Sequence, residues 1–194
     1  QYKNHWLDFF RVIFIEGYNM VPFYLSTIYM DILLKEQYHF SNSQMLGAKS
    51  LIMIFWCCIL PIGGRLADKI GGQNLMRITS GSLIFLSIPL YTLIIFYPNL
   101  WNLLIFQIII SIFSALYVAP TIGVLPRFFN APSRGVLYGV SLNLGNAFIG
   151  GMTPTIALWL ERLINSPYAP ALQLLLFSLI GWIALRKSVL RYEE

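Results

Sequence analysis

GGRLADKIGGQNL, residues 63–75, is a polar interruption in the middle of an apolar chain. It places Arg65, Asp68, Lys69 and four glycines between two long runs of hydrophobic residues. Charged side chains are unfavourable in the interior of a helix that lies in hydrocarbon. We therefore expect this stretch to be a short turn, outside the lipid, between two antiparallel helices.

The composition of the chain indicates a membrane protein. Of its 194 residues, 57% are hydrophobic, 15% are aromatic and only 11% are charged. A soluble domain carries about a quarter charged residues, so we expect an all-α protein that crosses a lipid bilayer several times. The net charge of +5 does not indicate nucleic-acid binding, because the basic residues lie in short loops between apolar runs and form no single patch.

The apolar runs predict six transmembrane helices, since a helix needs about 20 apolar residues to cross a bilayer. The long run between Arg77 and Arg127 contains no charged residue and is divided by Tyr97-Pro98-Asn99. The first span has to accommodate Glu16, and the second has Lys49 near its outer end. The predicted helices cover residues 12–30, 45–64, 77–96, 100–121, 135–160 and 163–185.

The basic residues predict the orientation of these helices. With six spans both termini lie on one side, which also carries Lys3, Arg11, Arg65, Lys69, Arg77, Arg127, Arg134, Arg186, Lys187 and Arg191. The opposite side carries only Lys35, Lys49 and Arg162. By the positive-inside rule, both termini and residues 63–75 are expected in the cytoplasm. The richness in Ile, Leu, Phe, Tyr and Asn is typical of an AT-rich bacterial genome, so we expect a bacterial plasma (inner) membrane.

Residues 64–71, Gly-Arg-Leu-Ala-Asp-Lys-Ile-Gly, resemble the signature loop of the major facilitator superfamily. That signature reads G-x-L-x-D-R/K-x-G and is followed by two basic residues. The resemblance assigns a signature or gating role to Gly64, Arg65, Asp68, Lys69 and Gly71. Gly64 would let two helix ends approach closely, and Asp68 would accept N–H bonds at a helix N-terminus. The alternative is a turn that only satisfies the positive-inside rule.

The sequence departs from the signature after Gly71. Gly72 and Gln73 stand where the family has two basic residues, and the next positive charge is Arg77. We therefore expect the charge relay of the loop to be weaker or rerouted.

A second group of residues narrows the resemblance to the metabolite:proton symporters, the subgroup of proline/betaine, α-ketoglutarate, shikimate and citrate carriers. The residues that resemble the eleventh helix of this subgroup are Leu125-Pro126-Arg127, Arg134-Gly135, Ser141 to Asn146, Gly150-Gly151 and Pro154. Ala169-Pro170, at the start of the last helix, fits as well. The resemblance implies that residues 1–194 are the C-terminal six-helix half of a twelve-helix protein, a three-plus-three inverted repeat, and that the N-terminal half is absent.

One face of the fifth predicted helix is small and polar. Gly135, Gly139, Asn143, Asn146, Gly150 and Thr153 fall within an arc of about 80° at 100° per residue. Asn143 and Asn146 are candidate cavity residues that would bind substrate or water. Gly135, Gly139, Gly150 and Gly151 are candidate helix-packing residues. The alternative is that the whole face only joins helices to one another.

The first predicted helix also has a polar face, formed by Glu16, Asn19, Phe23, Thr27 and Met30. An ionisable residue in hydrocarbon costs a few kcal/mol and by default marks a transport pathway. Glu16 is therefore a candidate proton-coupling residue, and Asn19 a candidate cavity residue. The alternative for Glu16 is a gating carboxylate, or one that pairs with a basic residue. Tyr18 lies on the opposite side of the helix and is expected to pack.

The function implied by the resemblance is secondary active transport of a small polar metabolite or osmolyte, of the proline/betaine or organic acid type. Proton symport would drive it by alternating access, and this chain would supply one wall of the cavity. The alternatives are an inactive fragment and a structural or channel-like membrane subunit. Expected partners are the lipid bilayer, the substrate, protons and the missing N-terminal half, but no nucleic acid.

We expect no enzyme activity, no cofactor and no metal site. The two histidines, His5 and His39, lie in terminal or loop segments, which argues against an intramembrane metal site or a Ser–His dyad. The chain also has no phosphate loop of the form G-x-x-x-x-G-K-S/T.

Overall fold

The computed structural model describes residues 5–32, 35 and 41–186, and those residues form helices and short turns without a strand. Within these ranges, six helical rods follow one another. They are α1 (His5–Tyr24, continued by a π-helical turn at Leu25–Tyr29), α2 (Asn42–Ile70), α3 (Gly72–Phe96), α4 (Leu100–Val118, continued by short turns at Thr121–Val124 and Leu125–Phe128), α5 (Arg134–Leu144, a π-helical segment Gly145–Gly150, then Thr153–Ile164) and α6 (Ala169–Ala184). The loop residue His39 and the basic residues Lys3, Lys187 and Arg191 lie outside the described residues.

Three segments are long and apolar enough to cross a membrane: Met45–Ile70, Gly72–Phe96 and Leu100–Phe128. Ala169–Ala184 is also apolar but shorter. The remaining two rods, α1 and α5, carry most of the polar residues singled out above and are interrupted by π-helical turns. The expectation of an all-α multi-pass membrane protein is therefore confirmed.

The largest difference from the predicted boundaries is at the end of α2. The sequence predicts that this helix ends at residue 64, yet it continues to Ile70, so that residues 64–70 are helical. The glycine pair does not break the helix because the backbone hydrogen bonds continue, up to Gly71 N–H donating to the Ala67 carbonyl (2.9 Å). Only Gly71 forms the turn. Its φ of 87° lies in the left-handed region that glycine adopts without strain.

The other boundaries shift for similar local reasons. Helix α5 extends past the predicted end at residue 160 to Ile164, and Asn165 ends it with a left-handed φ of 51°. Helix α6 begins at Ala169 and not at residue 163, because the Ser166-Pro167 turn separates it from α5. At the other end of the chain, α1 begins at His5, before the predicted start at residue 12.

Helix α1 is the centre of the bundle, in contact with α4, α5 and α6. Tyr18, predicted to pack, is buried and meets Tyr117 of α4 edge to face, with ring centroids 4.9 Å apart. Ser178 of α6 donates a hydrogen bond to the Tyr18 hydroxyl (3.3 Å). On the other side of α1, a Cβ added at Gly145 of α5 would lie 2.6 Å from the Ile13 carbonyl oxygen, so the two backbones touch.

Candidate functional site

The signature residues lie on the last turns of α2 and point outward. Arg65, Asp68 and Lys69 are exposed. Within the part of the chain that the structure describes, no side chain forms an ion pair or a hydrogen bond with Asp68. The segment is thus a helix end that presents a carboxylate and two basic groups to its surroundings, and not the loop that the sequence predicts.

Close helix approach at this end depends on glycines other than Gly64. A Cβ added at Gly64 would meet nothing within 4 Å. A Cβ at Gly63 would lie 2.7 Å from the Ala119 Cβ of α4, and one at Gly72 would lie 2.6 Å from Val124. Gly63 and not Gly64 faces α4. Within the described bundle the close contact with α4 is therefore made at Gly63, and the packing role expected for Gly64 stays a prediction.

Gln73, which stands where the family signature has a basic residue, forms a hydrogen bond between two helices. The Gln73 amide donates a hydrogen bond to the Leu185 carbonyl at the end of α6 (2.7 Å). This bond satisfies one of the carbonyls that a helix end leaves without an intrahelical partner. A side chain that would be basic in the family pattern thus ties α3 to α6.

A cavity of about 260 Å³ lies between α1, α2 and α4. The residues that line it are Asn19, Met20, Phe23, Ile52, Met53, Trp56, Cys57, Ser114 and Val118. Two aromatic side chains from different helices meet there, Phe23 and Trp56, with ring centroids 6.2 Å apart. We call this space the α1/α2/α4 cavity.

Three polar groups around the α1/α2/α4 cavity are buried and have no hydrogen-bond partner. They are the Asn19 Oδ1, the Trp56 Nε1 and the Ser114 Oγ. Buried polar groups in proteins are nearly always paired, with protein or with water, and each unpaired one costs about 1–3 kcal/mol. These three groups belong to residues from the three helices that line the cavity, and the atoms themselves are buried beneath its apolar surface.

Asn19 was a sequence candidate for this role, whereas Trp56 and Ser114 were missed. A sequence signal for Ser114 exists, because Gln107, Ser111 and Ser114 recur at helical spacing in an otherwise apolar span and are all buried. No comparable signal exists for Trp56, since a tryptophan within a span is more often a packing residue.

Glu16 is buried against α5, with 1% of its surface exposed. Its Oε1 accepts a hydrogen bond from the Tyr138 hydroxyl (3.0 Å), and its Oε2 has no partner. None of the described basic side chains pairs with it, so the alternative of an ion-paired carboxylate finds no support in this part of the chain. Asn19, a lining residue of the α1/α2/α4 cavity, lies one helical turn further along α1. Tyr138 was not a sequence candidate.

The small polar face of α5 divides into two parts. Toward its start, Gly135 is exposed, a Cβ at Gly135 or Gly139 would meet nothing within 4 Å, and the exposed Asn143 donates to the Gly139 carbonyl (2.8 Å). Toward its middle, a Cβ at Gly150 would lie 2.6 Å from the Met20 Cβ of α1. The first part is therefore an open surface, and the second part packs against α1.

Asn146 and Gly151 lie near this division. Asn146 is half-buried, and its Oδ1 has no partner. Gly151 is exposed and sits in the bend that separates the two parts of α5, where an added Cβ would lie 2.8 Å from the Ala147 carbonyl oxygen. Neither Asn143 nor Asn146 lines the α1/α2/α4 cavity.

Comparison with known proteins agrees with the resemblance noted in the sequence. A family model described as the Major Facilitator Superfamily matches residues 2–154. The ectoine/proline transporter ProP of Corynebacterium glutamicum is 27% identical over 183 residues, which cover 94% of this chain and 36% of that protein. The glycine betaine/proline/ectoine/pipecolic acid transporter OusA of Dickeya dadantii is 27% identical over 181 residues, 92% of this chain and 35% of that protein.

The chain therefore spans little more than a third of the length of these curated relatives. Both relatives are named as transporters of small solutes, in agreement with the proline/betaine part of the subgroup. No solved structure matches the chain.

Proposed function

The chain belongs to the Major Facilitator Superfamily, and we propose that it forms the C-terminal half of a proton-coupled transporter for small zwitterionic osmolytes. In such carriers two six-helix halves enclose the substrate and rock about it, so that the site opens to each side of the membrane in turn. Residues 1–194 would supply one wall of the site, and an N-terminal half the other. The membrane would be a bacterial inner membrane, with both ends of the chain in the cytoplasm.

The observation that carries this proposal is the α1/α2/α4 cavity. A zwitterion such as betaine or proline has a cationic nitrogen and a carboxylate but no net charge. The rings of Phe23 and Trp56 suit the cation, since a cation over an aromatic face gains about 2 kcal/mol or more once desolvated. The indole N–H of Trp56 and the hydroxyl of Ser114 would suit the carboxylate, because each of these groups can donate a hydrogen bond.

The charge of the cavity favours a zwitterion over an organic acid, the other substrate type implied by the subgroup. No ionised side chain is among the lining residues that the structure describes. An organic anion would be buried there without a counter-charge, which is costly in a medium of low dielectric. A neutral zwitterion avoids that cost.

Proton coupling is assigned to Glu16. The carboxyl group is buried one helical turn from the α1/α2/α4 cavity, and its Oε2 is free to carry a proton. The Tyr138 hydroxyl donates to the other oxygen, and a hydrogen bond to a carboxylate is roughly twice as strong as one to a neutral carboxyl group. Protonation of Glu16 would therefore loosen the contact between α1 and α5, which links proton binding to a movement of helices.

The proposal is tested by uptake of radiolabelled glycine betaine into bacteria that lack their own osmolyte carriers and express the complete protein. We expect Trp56→Leu to raise the KM at least about tenfold, the equivalent of 1.4 kcal/mol, and Trp56→Phe to keep most of the affinity. Trp101→Leu is the matched control, because Trp101 is 76% exposed and does not line the cavity.

Three results would contradict the proposal. An unchanged KM in Trp56→Leu would remove the cavity as the site. A dicarboxylate that competes as well as unlabelled betaine would favour the organic acid alternative. Uptake that neither saturates nor drives counterflow would favour a channel-like subunit.

A further inference from the structure

A groove of about 600 Å³ runs along the outer surface between α3 and the end of α6, away from the α1/α2/α4 cavity. One end of the groove is polar and is formed by Asn74 and Arg77. From there it passes Gly81 and reaches Phe85, while Trp182 of α6 forms the facing wall. We call it the α3/α6 groove.

The polar end of the α3/α6 groove gathers two guanidinium groups around one indole ring. The Cζ atom of Arg77 lies 5.6 Å from the Trp182 ring centroid, and that of Arg186 lies 5.9 Å from it. The Arg77 Nε is buried and has no hydrogen-bond partner. Within the described part of the chain, no carboxylate pairs with either arginine. Both guanidinium groups therefore lie beside the same indole ring, without a paired carboxylate among the described residues.

The chain fixes this pair of arginines in place. The hydrogen bond from the Gln73 amide to the Leu185 carbonyl joins the start of α3 to the end of α6 (2.7 Å). Arg77 lies one helical turn after Gln73, and Arg186 follows Leu185 directly. The packing of α3 against α6 therefore places both arginines beside Trp182.

The remainder of the α3/α6 groove is apolar and open. Arg77, Gly81 and Phe85 are spaced four residues apart, so they lie along one face of α3. Phe85 is 81% exposed, and the neighbouring Ile78 is 56% exposed. Gly81 keeps the groove open, because an added Cβ there would lie 3.4 Å from the Trp182 indole.

We propose that the α3/α6 groove binds an anionic phospholipid. The phosphate binds Arg77 at the polar end of the groove, with Arg186 on the same indole ring adding positive charge, and an acyl chain follows Gly81 toward Phe85. Guanidinium groups bind phosphate oxygens with paired N–H donors, and tryptophan is enriched at the depth of lipid headgroups. The arginines are at the membrane side predicted to be cytoplasmic, where anionic headgroups attract basic residues.

A soluble phosphate compound shares the chemistry of the headgroup but makes no use of the apolar length of the groove. A protein partner is disfavoured because the exposed residues along this surface, Ile78 and Phe85, are as apolar as lipid. The open face of α5 is different, since it presents Gly135, Gly139 and Asn143. Small and polar residues of that kind are typical of helix contacts within a membrane.

The first measurement uses fluorescence quenching in bilayers. The complete protein retains Trp182 as its single tryptophan, with Phe at the other positions, and is reconstituted with brominated phosphatidylglycerol or brominated phosphatidylcholine of the same chains. We expect Trp182 to prefer phosphatidylglycerol. The preference should fall about fivefold for each of Arg77→Gln and Arg186→Gln, as expected for one basic residue at an anionic surface. Arg65→Gln is the matched control, because it removes one positive charge from the same predicted cytoplasmic side. This variant should leave the preference for phosphatidylglycerol unchanged.

The second measurement keeps all tryptophans and counts bound phosphatidylglycerol on the purified complete protein by native mass spectrometry. Gly81→Leu fills the apolar part of the groove without altering the arginines and should lower occupancy as the arginine variants do. Equal binding of the two lipids, or a preference that survives the double variant Arg77→Gln/Arg186→Gln, would overturn the proposal. A preference that soluble glycerol phosphate abolishes and Gly81→Leu leaves intact would identify a site for soluble phosphate, and the lipid proposal would be wrong.

Discussion

The end of α2 and the α1/α2/α4 cavity both hold polar groups without partners in the described chain, yet the two regions differ in what that means. Asp68 at the end of α2 is exposed, and water satisfies its carboxylate at no cost. Asn19 in the cavity is 5% exposed, and its unpaired Oδ1 costs about 1–3 kcal/mol. An unpaired polar group on the surface is satisfied by water, whereas an unpaired buried group costs free energy until a partner reaches it.

Mutations in these two regions are therefore expected to impair different properties of the transporter. Changes at the end of α2 are expected to affect transport through contacts with the other half of the protein, and to leave the bundle intact. Changes around the cavity are expected to affect the affinity for substrate or the coupling to protons.

The largest effect is expected from Asp68→Asn in the complete protein. The carboxylate would bind a helix N-terminus of the N-terminal half, and loss of its charge should cut transport by about tenfold or more, as for a charged hydrogen bond worth 1.5–3 kcal/mol. Uptake and membrane abundance are measured together, with Asp68→Glu as the control that keeps the charge. Wild-type uptake by Asp68→Asn at normal abundance would remove this role.

A second large effect concerns Glu16. Uptake is expected to rise as the external pH falls and to collapse with a protonophore, because the proton gradient drives accumulation. Glu16→Gln cannot release a proton, so accumulation should disappear while substrate exchange across the membrane remains. Both are followed with labelled substrate in reconstituted vesicles.

Tyr138→Phe sharpens this prediction. It removes only the hydroxyl that donates to Glu16, so accumulation should weaken a fewfold and the pH profile should shift. Accumulation that persists in Glu16→Gln would assign coupling to the N-terminal half and leave Glu16 with a gating role.

A smaller effect distinguishes the two parts of the α5 face. With Cys57 and Cys58 replaced, Asn143→Cys should react quickly with a small hydrophilic thiol reagent, since Asn143 is exposed. Asn146→Cys should react more slowly because Asn146 is half-buried. Substrate should slow both reactions if this face lines the transport pathway.

Leu142→Cys and Leu144→Cys provide the reference for that experiment, because both side chains point about 100° away from Asn143. Labelling rates at 143 and 146 that do not exceed those at 142 and 144 would make the face a helix contact within the complete protein.

The smallest effect separates the two glycines of the signature in the free energy of unfolding. Gly63→Ala should destabilise the protein by about 1–3 kcal/mol, because the new Cβ overlaps Ala119. Gly64→Ala should be neutral or stabilising by up to about 1 kcal/mol, since alanine favours the helix and finds open space. Thermal unfolding in detergent gives both values. An equal loss in Gly64→Ala would mean that the N-terminal half packs on Gly64.

The sequence alone determined that this is an all-α membrane protein with six helical rods and a place in the Major Facilitator Superfamily. These properties could be predicted because they are local: hydropathy over about 20 residues defines a span, and the signature residues are contiguous. It also identified the polar faces of α1 and α5, since helical spacing alone places Glu16 with Asn19 and Asn143 with Gly139.

Only the tertiary structure decided which faces meet. It showed that Gly63 and not Gly64 packs against α4, that Asn19, Trp56 and Ser114 surround one cavity, and that Tyr138 reaches Glu16 across 122 positions of the chain. It also brought Arg77 and Arg186 to the same indole ring. Periodicity specifies the faces of each helix, but the rotation and crossing of neighbouring helices depend on side chains from distant segments packing at once.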